Sequence, residues 1–180
     1  MNFRLNLIKT SFFILILVSC SEPTPRYPIN KKNDAFLIQS AKRNKNLYDF
    51  EQKLLKKAAK KDSLLNYQTS EAGFFYAVIK PMDSSLPIPK KGEKVRFQYQ
   101  IDDLEKNSIY TQETLGIVDY SIDQEDLLPG LREGLRIMRV GEVVVFLFPS
   151  YLCYGYQGDG EKIGINQPLR YTIKRLPNEK

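Results

Sequence analysis

The chain has 180 residues, a formal net charge of +6, and neither histidine nor tryptophan. That length accommodates one ordinary domain with accessory segments. The missing histidine excludes a Ser-His-Asp triad, a Cys-His dyad and any histidine zinc site, so chemistry must come from shape, hydroxyls, carboxylates or backbone groups.

Residues 1–19 read as a signal peptide, with Arg4 and Lys9 ahead of the apolar run Phe12-Phe13-Ile14-Leu15-Ile16-Leu17-Val18. The run falls short of the roughly 20 apolar residues that span a bilayer. Leu17-Val18-Ser19-Cys20 has the form of a bacterial lipobox, in which Cys20 becomes the lipidated first residue. A multiply acylated cysteine is a stable anchor. The expected mature protein is therefore lipid-anchored in the cell envelope. Ser21 after Cys20, and the lack of an acidic run there, favour the outer membrane with the protein facing the periplasm. Nucleic acid is no partner for such a chain. Residues 20–33 carry Pro23, Pro25 and Pro28 among polar neighbours and read as an extended tether.

Residues 34–66 lack proline and glycine and predict an amphipathic helix, with Leu47, Phe50, Leu54, Ala58 and Leu65 as its apolar positions. Residues 31–66 hold ten Lys/Arg and four Asp/Glu, so the positive charge belongs to this helix and not to residues 67–180. Its lysine face is either simply solvated or meets anionic headgroups or an acidic partner.

From residue 70 the period changes to two. Phe74 to Ile79 predicts a strand; Pro81, Pro87 and Pro89 mark a loop; Val95, Phe97, Tyr99 and Ile101 alternate with polar residues in a half-buried strand. Asp102 to Asn107 reads as a hairpin turn. Val143 to Phe148 is a continuous apolar run, expected of a central strand covered on both faces. Leu169, Tyr171 and Ile173 alternate with Arg170, Thr172 and Lys174 in a last strand. Between them Leu131, Leu135 and Met138 line a short helix, with Pro129 at its start and Gly141 just past its end. The expectation is an α+β domain over 70–177: a curved antiparallel sheet wrapped around one short helix, preceded by the N-terminal amphipathic helix.

The run Leu127-Leu128-Pro129-Gly130-Leu131-Arg132-Glu133-Gly134, then Met138-Arg139-Val140-Gly141, then Tyr154-Gly155, resembles the signature of FKBP-type peptidyl-prolyl cis-trans isomerases. The resemblance covers residues 73–176. It implies isomerisation of X-Pro bonds in proline-containing polypeptide clients, with no cofactor and no metal. It also implies a pocket. Tyr99, Leu127, Leu128, Leu131 and Tyr154 would be catalytic; Ile109, Tyr110, Ile163 and Tyr171 would bind substrate. In the family the backbone N–H at the position of Leu128 bonds substrate, and the hydroxyl at Tyr154 bonds a substrate carbonyl.

The departures fall on that pocket. Leu131 stands where the family has tryptophan, Ile109 and Tyr110 where it has a Phe-Asp pair, Lys162 at an apolar loop position, and Cys153 for alanine as a small buried thiol. The layout of lipobox, basic helix and single divergent domain is similar to the gliding-motility-associated FKBP lipoproteins of the Bacteroidetes, whose clients would be motility and secretion components. The alternative is the same fold without strong turnover, a binding or chaperone module in the envelope.

Overall fold

The computed structural model describes residues 32–178. The signal peptide, Cys20 and the tether up to residue 31 lie outside the described residues. The chain divides into two compact units, residues 1–39 and 40–180. The described residues of the first open a helix, α1, Lys32–Lys61; all contacts below lie in the second. Among the described residues no helix is long and apolar enough to cross a membrane.

After α1 come β1 (Gln68–Thr69), β2 (Phe75–Lys80), β3 (Lys94–Asp102), β4 (Ser108–Tyr110), α2 (Gln112–Leu115), β5 (Ile117–Ser121), α3 (Pro129–Arg136), β6 (Val143–Phe148), a 3-10 turn (Ser150–Leu152) and β7 (Leu169–Leu176). The strands form one antiparallel sheet ordered β1-β2-β6-β7-β3-β4, with β5 paired to the first half of β3. The register sets Phe146 opposite Tyr171 and Tyr99 opposite Ile173.

Successive side chains of a strand point to opposite faces, and β6 uses both. Val144, Phe146 and Phe148 join the main core with Leu131 and Leu135 of α3. Val145 and Leu147 join a second cluster with Phe75 and with Leu55 of α1. This is why β6 reads as an unbroken apolar run: α3 covers one face and α1 the other. The approach of α3 is close. A Cβ at Gly134 would lie 3.1 Å from the Phe146 ring, and one at Gly130 would lie 3.0 Å from the Leu152 carbonyl.

The expected helix over 34–66 differs from α1 at its end and in its buried face. It stops at Lys61, and Asp62 enters a turn that the Leu65 N–H closes at 3.1 Å. Phe50 is 59% exposed, whereas Glu51, Leu55 and Asp62 are buried. Leu47, Leu54, Ala58 and Leu65 are half-buried as the apolar stripe predicts, Phe50 is not, and Glu51 in α1 and Asp62 just past its end join the packed side. Asp62 pairs with Arg170 of β7 at 2.9 Å and with Lys106 at 3.0 Å, and Tyr67 donates to it at 3.1 Å. Burial works against the charged carboxylate, but these three donors outweigh it and hold the Asp62 pKa below the ordinary value. Glu51 takes the Ser150 N–H at 2.8 Å and the Ser150 hydroxyl at 2.6 Å.

Candidate functional site

The nine residues expected to form the pocket arrive from seven segments. β3 supplies Tyr99, β4 Ile109 and Tyr110, the approach to α3 Leu127 and Leu128, and α3 itself Leu131. The 3-10 turn leads into Tyr154, the following loop carries Ile163, and β7 carries Tyr171. All nine belong to, or pack on, the main core cluster. Leu131, Ile163 and Tyr171 are buried, while the other six are half-buried. Tyr99 stacks on Tyr171 at 5.9 Å between centroids and 10° between planes. Phe148 meets Tyr171 edge-on at 5.4 Å.

Local chemistry explains the placement. Leu128 is the N-cap of α3, with Pro129 at the first helical position, where the missing N–H costs nothing. The Leu128 carbonyl accepts from Arg132 N–H at 3.1 Å. After the 3-10 turn, the N–H groups of Cys153 and Gly155 both return to the Ser150 carbonyl at 2.9 Å, which fixes Tyr154 between them. Gly155 takes φ +58 there.

The loop of residues 155–168 is organised by Asp159. One carboxylate oxygen accepts from the N–H groups of Glu161 at 2.9 Å and Ile163 at 2.8 Å. The other accepts from the Tyr110 hydroxyl at 2.6 Å, tying β4 to the loop. Lys162 lies 4.9 Å above the Tyr110 ring and reaches the Ile109 carbonyl at 3.4 Å. The departures from the family pattern at 109–110 and at 162 therefore meet: the lysine head covers the ring that replaced the aspartate. Asp159 escaped the sequence reading, although its place in Gly158-Asp159-Gly160 marks a turn whose carboxylate could organise backbone.

Gly158 makes this loop testable. It sits at φ +69, and a Cβ there would overlap the Ile163 carbonyl. Gly158→Ala is expected to lose about 1–3 kcal/mol and to release the loop. Hydrogen exchange should show loss of protection at the Ile163 amide.

The shifts around these residues run away from neutrality. The Tyr110 hydroxyl, donating to Asp159, is pushed up to about 12, and the same bond draws Asp159 down to about 2. Burial, with Tyr99 alongside, pushes Tyr154 up to about 12. Burial also raises Tyr99 and, with Cys153 and Tyr154 nearby, Tyr171. Burial raises the Cys153 thiol too, keeping it protonated and a poor nucleophile. Among the described residues no group of three or more Cys, Asp or Glu is placed to hold a metal ion.

What the arrangement gathers is a set of mostly apolar side chains with hydroxyls among them, brought by β4, the α3 approach and the 155–168 loop onto one core. The family model for FKBP-type peptidyl-prolyl cis-trans isomerase matches residues 78–176. The probable FKBP-type peptidyl-prolyl cis-trans isomerase FkpA of Neisseria meningitidis serogroup B (strain ATCC BAA-335 / MC58) is 31% identical over 123 residues, 67% of this chain and 42% of that protein. The chain thus spans less than half the length of that curated relative. The crystal structure of FkpA from Escherichia coli shares the fold with a TM-score of 0.57 at 23% identity, covering 90% of this chain and 76% of that one. A peptidyl-prolyl cis-trans isomerase from Pseudomonas syringae pv. tomato DC3000 does so with a TM-score of 0.59 at 17% identity, covering 76% and 96%. The α+β sheet-and-helix architecture is that of these structures, and the chain belongs to the FKBP-type peptidyl-prolyl cis-trans isomerase family.

Proposed function

We propose that the protein accelerates cis-trans rotation about X-Pro bonds of exported polypeptides, from a lipid anchor at Cys20 on the periplasmic side of the outer membrane. Components of motility and secretion machinery are the clients its layout suggests. The observation that carries the reading is the match to the family over residues 78–176, supported by the gathering of leucines, isoleucines and tyrosines at the expected positions on one core.

Rotation about a peptide bond faces a barrier of roughly 18–20 kcal/mol, and an X-Pro bond left alone exchanges over about tens to hundreds of seconds. The planar amide is polar through resonance; the twisted amide has lost that charge separation. A water-poor cleft therefore penalises the ground state more than the transition state. In this reading Leu127, Leu128, Ile109 and Tyr110 exclude water. Leu131, Ile163 and Tyr171 support them from beneath. The Leu128 N–H and the Tyr154 hydroxyl hold the carbonyls flanking the proline, and Tyr99 packs on the ring.

A proline-containing tetrapeptide is expected to isomerise faster with the protein than in buffer; equal rates would overturn the reading. Because the shifts around these residues run away from neutrality, kcat/KM should stay flat from about pH 5 to 9. A bell-shaped profile centred near pH 7 would show acid–base chemistry instead. Asp159 sets the acid limit. Its pKa is depressed, so its contribution to stability is complete above the ordinary carboxylate pKa and is lost as pH falls toward about 2. For the anchor, Cys20→Ser is expected to move the protein from the membrane fraction to the soluble one.

A further inference from the structure

A concavity of about 520 Å³ runs from Tyr154 and Gly155 to α1, lined by Asn44, Tyr48, Glu51, Tyr151, Tyr156 and Gln157 among others. Tyr154 is also one of the residues proposed to hold the substrate, so the groove begins at the proposed cleft. Volumes of this order hold peptide-sized ligands.

Its lining says what it takes. Counting Tyr154, four tyrosines face it. Tyr48 and Tyr151 lie 6.1 Å apart at 37°, and the Tyr151 hydroxyl donates to the Ala72 carbonyl at 2.8 Å, so this pair is held in place. Tyr156 is 76% exposed and Tyr48 43%, which is costly surface to leave to water. Charge is lacking. Although α1 is rich in lysine, no lysine or arginine lines the groove, and its one carboxylate, Glu51, is occupied by Ser150. Such a lining repels neither sign and rewards neither, which disfavours an anionic lipid. Aromatic faces with hydroxyl and amide edges suit an extended, uncharged polypeptide carrying prolines or apolar side chains.

We infer that this tyrosine groove binds the flank of the client polypeptide that leaves the cleft past Tyr154, a second subsite selecting extended uncharged segments around the isomerised bond. The inference rests on the isomerase reading for its client. It makes turnover depend on substrate length: a tetrapeptide fills only the cleft, and a longer chain fills both.

The test uses the mature chain, a proline tetrapeptide, and a fluorescein-labelled dodecapeptide with the same central X-Pro bond and uncharged flanks. In the double variant Tyr48→Ser/Tyr156→Ser, the ratio of kcat/KM for the long over the short substrate should fall about fivefold or more, mainly through KM. Asn44→Trp, at an exposed position of α1, fills the groove without removing a buried contact and should lower the ratio likewise. Dissociation constants from fluorescence anisotropy of the dodecapeptide should rise by a similar factor in both variants. An unchanged ratio and unchanged dissociation constants in both would overturn the inference. If the wild type turns over neither substrate, the isomerase reading fails, and anisotropy still decides the groove: equal constants in wild type and variants sink it. Sedimentation with anionic phospholipid vesicles that is lost in both variants would assign the groove to lipid and overturn the peptide.

Discussion

Replacing Glu51 by alanine is expected to cost about 3 kcal/mol of folding stability, although the residue lies outside the span that the family model matches. The side chain is 1% exposed and is the shared acceptor for the N–H and the hydroxyl of Ser150, itself 2% exposed. Truncation leaves both donors buried without a partner, at about 1–3 kcal/mol each, offset by relief of a buried carboxylate. Glu51→Gln keeps the size and one acceptor and should lose about 1 kcal/mol. Urea melts of the two variants check the order; a loss below about 1 kcal/mol in Glu51→Ala would show that α1 is only laid on the sheet. The consequence reaches the cleft, since the Ser150 carbonyl holds Cys153 and Gly155 around Tyr154. Glu51→Ala should therefore also raise KM for the tetrapeptide.

Leu128→Asp is expected to reduce kcat/KM for the tetrapeptide about a hundredfold or more, equivalent to ~2.7 kcal/mol of barrier. A carboxylate in the wall brings water with it and removes the polarity difference on which the proposed mechanism depends. The position separates activity from folding unusually well. Leu128 is the N-cap of α3, has no side-chain capping bond, and is only half-buried. Aspartate is among the preferred N-cap residues, and its charge is favourable at a helix start. The thermal midpoint should therefore change little while activity disappears. Full activity in a folded Leu128→Asp would remove Leu128 from the wall.

The strands and α3 were legible because their signals are local. The alternation of β3 and β7 and the unbroken run of β6 each follow from which faces are covered, and Pro129 and Gly141 punctuate α3 at either side. The strand β5 was not anticipated: Ile117 is exposed and Asp119 interrupts the run, and the segment is held by its pairing with β3 and not by its own pattern. The packed face of α1 was read only in part for a related reason. Its buried acid Glu51 is explained by Ser150, about a hundred residues away, and no periodicity encodes such distant pairing. The nine expected site residues, taken from the family resemblance, all belong to or pack on the main core. The Tyr110–Asp159 bond was not legible, because β4 and the 155–168 loop meet only in the folded chain.

That bond decides what position 110 can accept. A carboxylate there would stand near Asp159 and Glu161, both of which the Tyr110 hydroxyl contacts, at 2.6 and 3.5 Å. It would also strip the Lys162 head of the ring beneath it. Like charges in such proximity disfavour one another, so an aspartate at 110 would be tolerated only if Asp159 changed too, and Asp159 holds the loop backbone. Positions 110 and 159 are therefore a coupled pair, to be exchanged together or not at all.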